Sequence, residues 1–266
     1  MKAYVLNGIN DLNYDNVQIP EIDNGSVLLK VKASGICSSD IPRIFINGTY
    51  HFPTIPGHEF SGQIVKVNNE QDKYLIGKRV GVFPLIPCFE CEQCKNKKYE
   101  ICSNYNYLGS RCDGGFAEFV KVPKWNIIEL PDSVSFKEAA MLEPMSVAMH
   151  AVKIANIAKN SKVAVVGTGM IGISIAQFAS YFAGQTIDLF ARNNSKRDIV
   201  DQFKDINYLV EEIPNNVYDY IFEVVGSSES IISTIDKSKP GSTIVFVGNP
   251  SGDLNLPKAT YWKILR

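Results

Sequence analysis

The chain has 266 residues, enough for two modest domains with separate cores. It is 45% hydrophobic and 21% charged, an ordinary globular composition. Its 27 Lys+Arg nearly cancel 28 Asp+Glu, which excludes a global field drawing it to nucleic acid or an anionic membrane. The start, MKAYVLNGIN, has too few apolar residues for a signal-peptide core. A reducing, cytoplasmic setting is therefore expected, where clustered cysteines bind metal more often than they pair.

In chain order, the first half reads as short strands broken by turns. In SVLLKVKAS, Val27, Leu29, Val31 and Ala33 fall on one face and Leu28, Lys30 and Lys32 on the other, a period of two. GKRVGVFPLI and GGFAEFVKVP are further β-rich runs bounded by Gly and Pro. This texture predicts a small, irregular antiparallel barrel, with no fixed-period repeat. From about residue 135 the texture changes. SFKEAAMLEPMSVAMHAVKIANI is rich in helix formers, with Pro144 expected to break or kink it. KVAVVG is an apolar β-branched run, and MIGISIAQFASYFAG a helix closed by Gly184. TIDLFA, NYLV, YDYIFEVVG and STIVFVGNP follow as strands with polar or helical spacers. That alternation predicts an α/β half, a parallel sheet covered by helices. Val163 to Ile187 carries no charge and is long enough to span a bilayer. Its glycines and its Ser, Thr and Gln residues favour a strand, a glycine turn and a buried helix instead.

VAVVGTGMIG sets Gly167, Gly169 and Gly172 as Gly-x-Gly-x-x-Gly straight after an apolar strand. The bland reading is a tight strand-to-helix connection. The sharper one is a dinucleotide site. The first glycine permits the turn, the second lets a pyrophosphate approach, and the third lets the helix lie close on the sheet. Met170 and Ile171 open that helix, whose amides would face the phosphates. An NAD site usually has an acid at the end of the next strand. Here DLFARNNSKR ends in Ala191 and Arg192, with Asp188 too early. Arg192, Lys196 and Arg197 suit a 2′-phosphate, so NADP is favoured and NAD remains open, as does a plain solvated basic turn.

Cys88, Cys91, Cys94 and Cys102 form Cys-x2-Cys-x2-Cys-x7-Cys, four thiolates able to close a tetrahedron around zinc. The bacterial ferredoxin run shares the first two gaps, but brings its fourth cysteine after three residues and then proline. A nucleic-acid zinc module calls for a basic surface, whereas Lys95, Lys97 and Lys98 are offset by Glu90, Glu92 and Glu100. Closed structural zinc fits best, and a closed site cannot polarise a substrate. A second set is different: Cys37 in GICSSD, His58 and Glu59 in PGHEFSG, and Glu143 in MLEPMS. A thiolate, an imidazole and a carboxylate leave a fourth zinc position open. Taken singly, Cys37 also reads as a small buried hydrophobe, His58 as a turn or core residue, and Glu143 as a helix-terminus acid.

Together these residues resemble the zinc-dependent medium-chain dehydrogenase/reductase superfamily. GICSSD, GHEFSG, the four-cysteine lobe, DGGFAE, EPMSVAMH and VGTGMIG occur in the superfamily's order over the whole chain. DIPRIFINGTYHFPTIPGHEFSG, LGSRCDGGFAEF and ATYWKILR are most similar to the sorbitol-dehydrogenase branch, with a nearer likeness to galactitol-1-phosphate 5-dehydrogenases. The resemblance implies a GroES-like β-barrel catalytic domain over residues 1–149, carrying a structural-zinc lobe at 88–102. It implies a Rossmann doubly wound sheet over 150–266, with the active site in the cleft between the two. Cys37, His58 and Glu143 fall on catalytic-zinc positions, and Glu59 on the neighbouring acid that contacts the metal directly, through water or transiently. Ser39 falls on the hydroxyl that relays the alcohol proton, and Asp40 on the acid that orients the zinc-bound histidine. The implied reaction passes hydride between a polyol or polyol phosphate, of galactitol 1-phosphate or sorbitol type, and NAD(P). One catalytic and one structural zinc are implied per chain, and homo-oligomers among full-length relatives.

Three departures stand out. Ala191 and Arg192 replace the acidic strand end of NAD-using relatives, and Cys112 has no family role. The chain stops at ATYWKILR after five recognisable Rossmann strands, where the pattern calls for a sixth. A C-terminally truncated member with an exposed sheet edge is expected, and a non-catalytic dinucleotide- and zinc-binding remnant is the alternative. Arg43 and Arg111 are candidates to hold a substrate phosphate, or to pair ions on the surface.

Overall fold

The computed structural model describes residues 1–250 and 252–265. The chain forms two compact units, Met1–Glu143 and a second from Pro144 onward.

In the first unit, β1 (Lys2–Gly8) and β2 (Asp11–Asn16) make an antiparallel ribbon. Next come β3 (Ser26–Ser34), a single helical turn α1 (Asp40–Pro42), β4 (Phe60–Val67) and β5 (Arg79–Val82). A small ribbon of β6 (Leu85–Ile86) and β7 (Asn106–Tyr107) brackets α2 (Glu92–Lys95). β8 (Phe119–Pro123), β9 (Ile127–Glu129) and α3 (Phe136–Ala140) complete the unit. The main sheet runs β8-β3-β4-β5-β9, with every neighbouring pair antiparallel. The period of two in β3 explains its central place: Val27 and Leu29 are fully buried and pack with Phe60, Ile64, Val80 and Val122. Each such side chain stabilises the unit by roughly 1.5–3 kcal/mol. The β1–β2 ribbon and the three-residue β9 carry too little alternation to be predicted.

The helical run after residue 135 is two helices, and its break is not at Pro144. α3 begins with a capping box between Ser135 and Glu138 and ends at Ala140. Met141 interrupts, and α4 (Leu142–Ala155) follows. Pro144 lies in the first turn of α4, where backbone N–H groups have no intrahelical acceptor, so proline is tolerated there.

The second unit holds β10 (Val163–Val166), α5 (Met170–Ala183), β11 (Ile187–Phe190), α6 (Arg197–Val200) and β12 (Ile206–Leu209). β13 (Tyr220–Glu223), α7 (Ser228–Lys237), β14 (Thr243–Phe246) and α8 (Lys258–Ile264) follow. The five strands are parallel in the order β12-β11-β10-β13-β14. Val163 and Val165 pack with Ile175 and Ala179 of α5, whereas Ala164 packs with Phe190 and Ile221 in a second cluster. Burial on both faces is why KVAVVG reads as unbroken apolar sequence. Gly184 ends α5 in the left-handed region, φ 67°, as predicted. Strand order reverses at β10, which opens a crevice at the carboxyl ends of β10 and β13. Among the described residues no helix is long and apolar enough to cross a membrane.

Candidate functional site

β3 and β4 run antiparallel with Ser34 opposite Phe60. The exit of β3 therefore lies beside the entry of β4, and this register brings Cys37 against His58 and Glu59. One donor atom from each of the three lies within 4.8 Å of the others. Gly35 makes the room: a Cβ there would stand 2.4 Å from Oε2 of Glu59. Its N–H donates to the Glu59 carbonyl at 2.7 Å, which fixes the approach.

Asp40 organises this corner from a fully buried position. Its Oδ2 accepts from the Cys37 N–H at 3.1 Å, and its Oδ1 accepts from Nη1 of Arg43 at 3.0 Å. Oδ1 also lies 3.5 Å from Nδ1 of His58, an ion-pair distance too long for an ordinary hydrogen bond. Nδ1 is buried with no hydrogen-bond partner among the described residues. Burial opposes charge on His58, but Asp40 and Cys37 outweigh it and push its pKa up to about 10. Burial also raises the Glu59 carboxyl; His58 opposes this and Glu143 adds to it. Ser39 Oγ donates to Cys37 Sγ at 3.3 Å.

Glu143 is not one of the three clustered donors. Its Oε1 accepts from Tyr107 Oη at 3.1 Å, and the Tyr107 ring stands edge-on to His58 at 5.8 Å. Burial and then Glu143 drive the Tyr107 hydroxyl far above its usual pKa. Neither Tyr107 nor Gly35 carried a sequence signal, being a tyrosine in a two-residue strand and a glycine after a strand end. A partly buried thiol, with a buried imidazole and carboxyl, is the donor set of catalytic zinc. With Nδ1 turned toward Asp40, Nε2 of His58 is left as the donor, and the room that Gly35 gives the Glu59 carboxylate adds to the fit.

Sγ atoms of Cys88, Cys91, Cys94 and Cys102 also lie within 4.8 Å of one another. Three of the separations are 3.5, 3.8 and 4.0 Å. Sulfurs at tetrahedral corners, about 2.3 Å from a central zinc, stand about 3.8 Å apart. Backbone N–H groups of Cys88 and Cys91 donate to Cys102 Sγ at 3.3 Å and Cys88 Sγ at 3.4 Å, as suits thiolates. Backbone hydrogen bonds from Cys94 and Ser103 draw the Cys91 thiol down to about 6, while burial pushes Cys94 up to about 12. Phe89, Tyr99 and Trp125 pack with ring centroids 5.1 to 6.0 Å apart, fastening this lobe to the segment after β8. Cys112 belongs to neither cluster. It packs on the core of its unit, and burial raises its thiol to about 11.

In the second unit Gly167 follows β10 with φ +117°. A Cβ on Gly172 would stand 2.0 Å from the Gly167 carbonyl oxygen, so only glycine fits, whereas one on Gly169 would meet nothing within 4 Å. That open space is where a phosphate could approach the backbone. Met170 and Ile171 begin α5, whose first amides have no intrahelical acceptor.

β11 ends at Phe190, followed by buried Ala191 and exposed Arg192; Lys196 is also exposed. Arg197 is already engaged. Its Nε donates to Asn194 Oδ1 at 3.0 Å, and its guanidinium lies over the Tyr208 ring at 5.0 Å. Asp188 accepts from Asn207 of β12 at 2.9 Å and from Tyr218, just before β13, at 2.8 Å. Sequence reading missed Glu223, fully buried at the end of β13. It accepts from the Val225 and Gly226 amides at 3.0 and 3.1 Å and from Ser230 Oγ at 2.6 Å, fixing the turn beside the β10 crevice.

Residues 23–132 match the alcohol dehydrogenase GroES-like domain. Galactitol 1-phosphate 5-dehydrogenase of Escherichia coli (strain K12) is 33% identical over 93% of this chain and 75% of its own. A crystal structure of galactitol-1-phosphate dehydrogenase from Escherichia coli covers the whole chain and 80% of its own, with a TM-score of 0.91 and 32% identity. Sorbitol dehydrogenase of Bacillus subtilis (strain 168) is 31% identical over 97% of this chain and 78% of its own. A Sinorhizobium meliloti 1021 protein bound to NADP is 29% identical, with a TM-score of 0.90 over 99% of this chain and 81% of its own. From strand order to donor sets, and at this level of identity, the chain belongs to the zinc-dependent medium-chain dehydrogenase/reductase superfamily, in the branch of the galactitol-1-phosphate and sorbitol dehydrogenases.

Proposed function

We propose that this protein moves hydride between a carbinol carbon of a polyol or polyol phosphate and a nicotinamide dinucleotide. The observation that carries this reading is the convergence of Cys37, His58 and Glu59 beside Ser39 and Asp40. Zinc held by those three donors, with Glu143 the further candidate, supplies Lewis acidity that lowers the pKa of a substrate hydroxyl. Asp40 anchors the Cys37 loop through its backbone and faces His58, holding the imidazole's orientation. Ser39 Oγ would accept the substrate hydroxyl's proton while releasing its own to water, so that the proton leaves without a change of charge on the serine. Cys88, Cys91, Cys94 and Cys102 hold a second zinc in a closed, structural role.

Gly167, Gly169 and Gly172 seat the pyrophosphate, with the Met170 and Ile171 amides directed to it. Arg192 and Lys196 are exposed where a ribose-binding acid would otherwise stand, which favours NADP over NAD. The reading extends to a cytoplasmic setting, where four neighbouring thiols stay reduced and available to metal.

The test is spectrophotometric. Zinc-loaded protein is given galactitol 1-phosphate, galactitol and sorbitol with NADP or NAD, and reduced nicotinamide is expected to appear. A folded protein holding zinc, yet inert on every polyol, would overturn the proposal.

A further inference from the structure

The two arginines raised as phosphate candidates are in different states. Arg43 is committed, since its Nη1 donates to buried Asp40 at 3.0 Å. Arg111 is not. Its guanidinium carbon lies 4.1 Å from the ring centroid of Tyr50 and 4.4 Å from that of Tyr105. No carboxylate pairs with it among the described residues, and its Nε is buried without a hydrogen-bond partner.

Stacking uses only the faces of a guanidinium and leaves its N–H donors directed outward in the plane. A buried donor without an acceptor is costly. A phosphate monoester offers adjacent oxygens to Nε and Nη together, the fork that arginine fits best. The backbone around this arginine is also held in place. Its N–H donates to the Tyr107 carbonyl at 2.9 Å, and its own carbonyl is 3.1 Å from Nε2 of His51. Thr49 Oγ1 ties the same two loops by donating to the Ser110 carbonyl at 2.6 Å.

Ring contacts connect this arginine to the candidate zinc donors. Tyr105 lies 6.3 Å from Tyr107, and Tyr107 lies 5.8 Å from His58. We propose that Arg111, held against the rings of Tyr50 and Tyr105, grips the phosphate of a polyol phosphate and sets the preference for phosphorylated over free polyol. This rests on the polyol-dehydrogenase reading and narrows its substrate class.

The test uses the full, zinc-loaded chain and its Arg111→Gln and Arg111→Lys variants, with kcat and KM measured on galactitol 1-phosphate and galactitol. The unaltered protein is expected to prefer the phosphate ester. Arg111→Gln should raise KM for it roughly 10- to 100-fold, the loss of one charge-assisted fork, with kcat moving by less than about threefold. Arg111→Lys should restore part of the loss, because charge returns without the fork. An unchanged ratio between the two substrates would overturn the proposal. So would an equal loss on both in a variant with an unshifted melting curve.

If neither substrate reacts with any variant, the dehydrogenase reading fails first, and calorimetric titration of inorganic phosphate still judges Arg111. Binding abolished by Arg111→Gln would support the proposal, and equal heats would remove it. Should that variant not fold, Tyr105→Leu keeps the charge and deletes one stacking face. It is expected to weaken phosphate several-fold, and undiminished binding there would overturn the proposal.

Discussion

At the residue scale, Gly35 is the small position that bears on the candidate zinc donors, since a β-carbon there would stand 2.4 Å from Oε2 of Glu59. The obstruction is the far end of a flexible side chain, so Gly35→Ala should fold and displace the carboxylate. Zinc affinity at that centre is expected to fall roughly 10- to 100-fold, the usual cost of disturbing a group that orients a ligand. Competition with a chromophoric chelator measures it. Cys37→Ser should abolish turnover and one equivalent of zinc while leaving the circular dichroism intact. His58 gives the pH dependence. Its pKa is raised from 6.5 to about 10, so in metal-free protein its contribution to stability is complete below 6.5 and lost as pH rises through about 10. Zinc must displace that proton, so zinc affinity should climb with pH over the same window, as competition titrations at stepped pH would show.

These donors were legible in the sequence because residue type and motif order point to them. The partner of Glu143 was not, because Tyr107 is 36 residues away in a two-residue strand. Nor could sequence separate Arg43 from Arg111, whose difference lies in what each side chain touches.

At the element scale, the end of β11 is where cofactor preference is set. Arg192→Asp should move the preference from NADP toward NAD, read as a reversal in the ratio of the two kcat/KM values; an unmoved ratio would end the argument for Arg192. Asp188→Asn should leave that ratio alone and lower the melting temperature, because Asp188 is spent on Asn207 and Tyr218. The β10–α5 unit was readable because Gly167 and Gly172 answer backbone demands within a few residues, while Gly169 leaves the turn open. The helix break was misplaced because Pro144 is a breaker only where an N–H is needed, and the first turn of α4 needs none. Glu223 escaped notice for a related reason: a buried carboxylate looks like any strand-end acid until the amides it accepts from are known.

At the scale of the whole molecule, the change of texture near residue 135 marked two bodies, and the structure divides them between Glu143 and Pro144. Each has its own core, made by period-two packing in one and a sheet covered on both faces in the other. Disruption of the four-cysteine lobe should therefore act on the first body. Cys91→Ser is expected to cost solubility and one zinc, as metal analysis and sedimentation would show. A stable variant still holding two zinc ions would refute the assignment of the two centres.

The ring trio of Phe89, Tyr99 and Trp125 has a practical consequence. An indole edge-on to residues flanked by Cys88 and Cys102 is an optical gauge for that lobe once Trp262, the second indole, is replaced by phenylalanine. Stripping its metal should shift Trp125 emission to the red, while Cys37→Ser should leave the spectrum where it was. Occupancy of the structural centre could then be followed in real time, without a dye and independently of turnover.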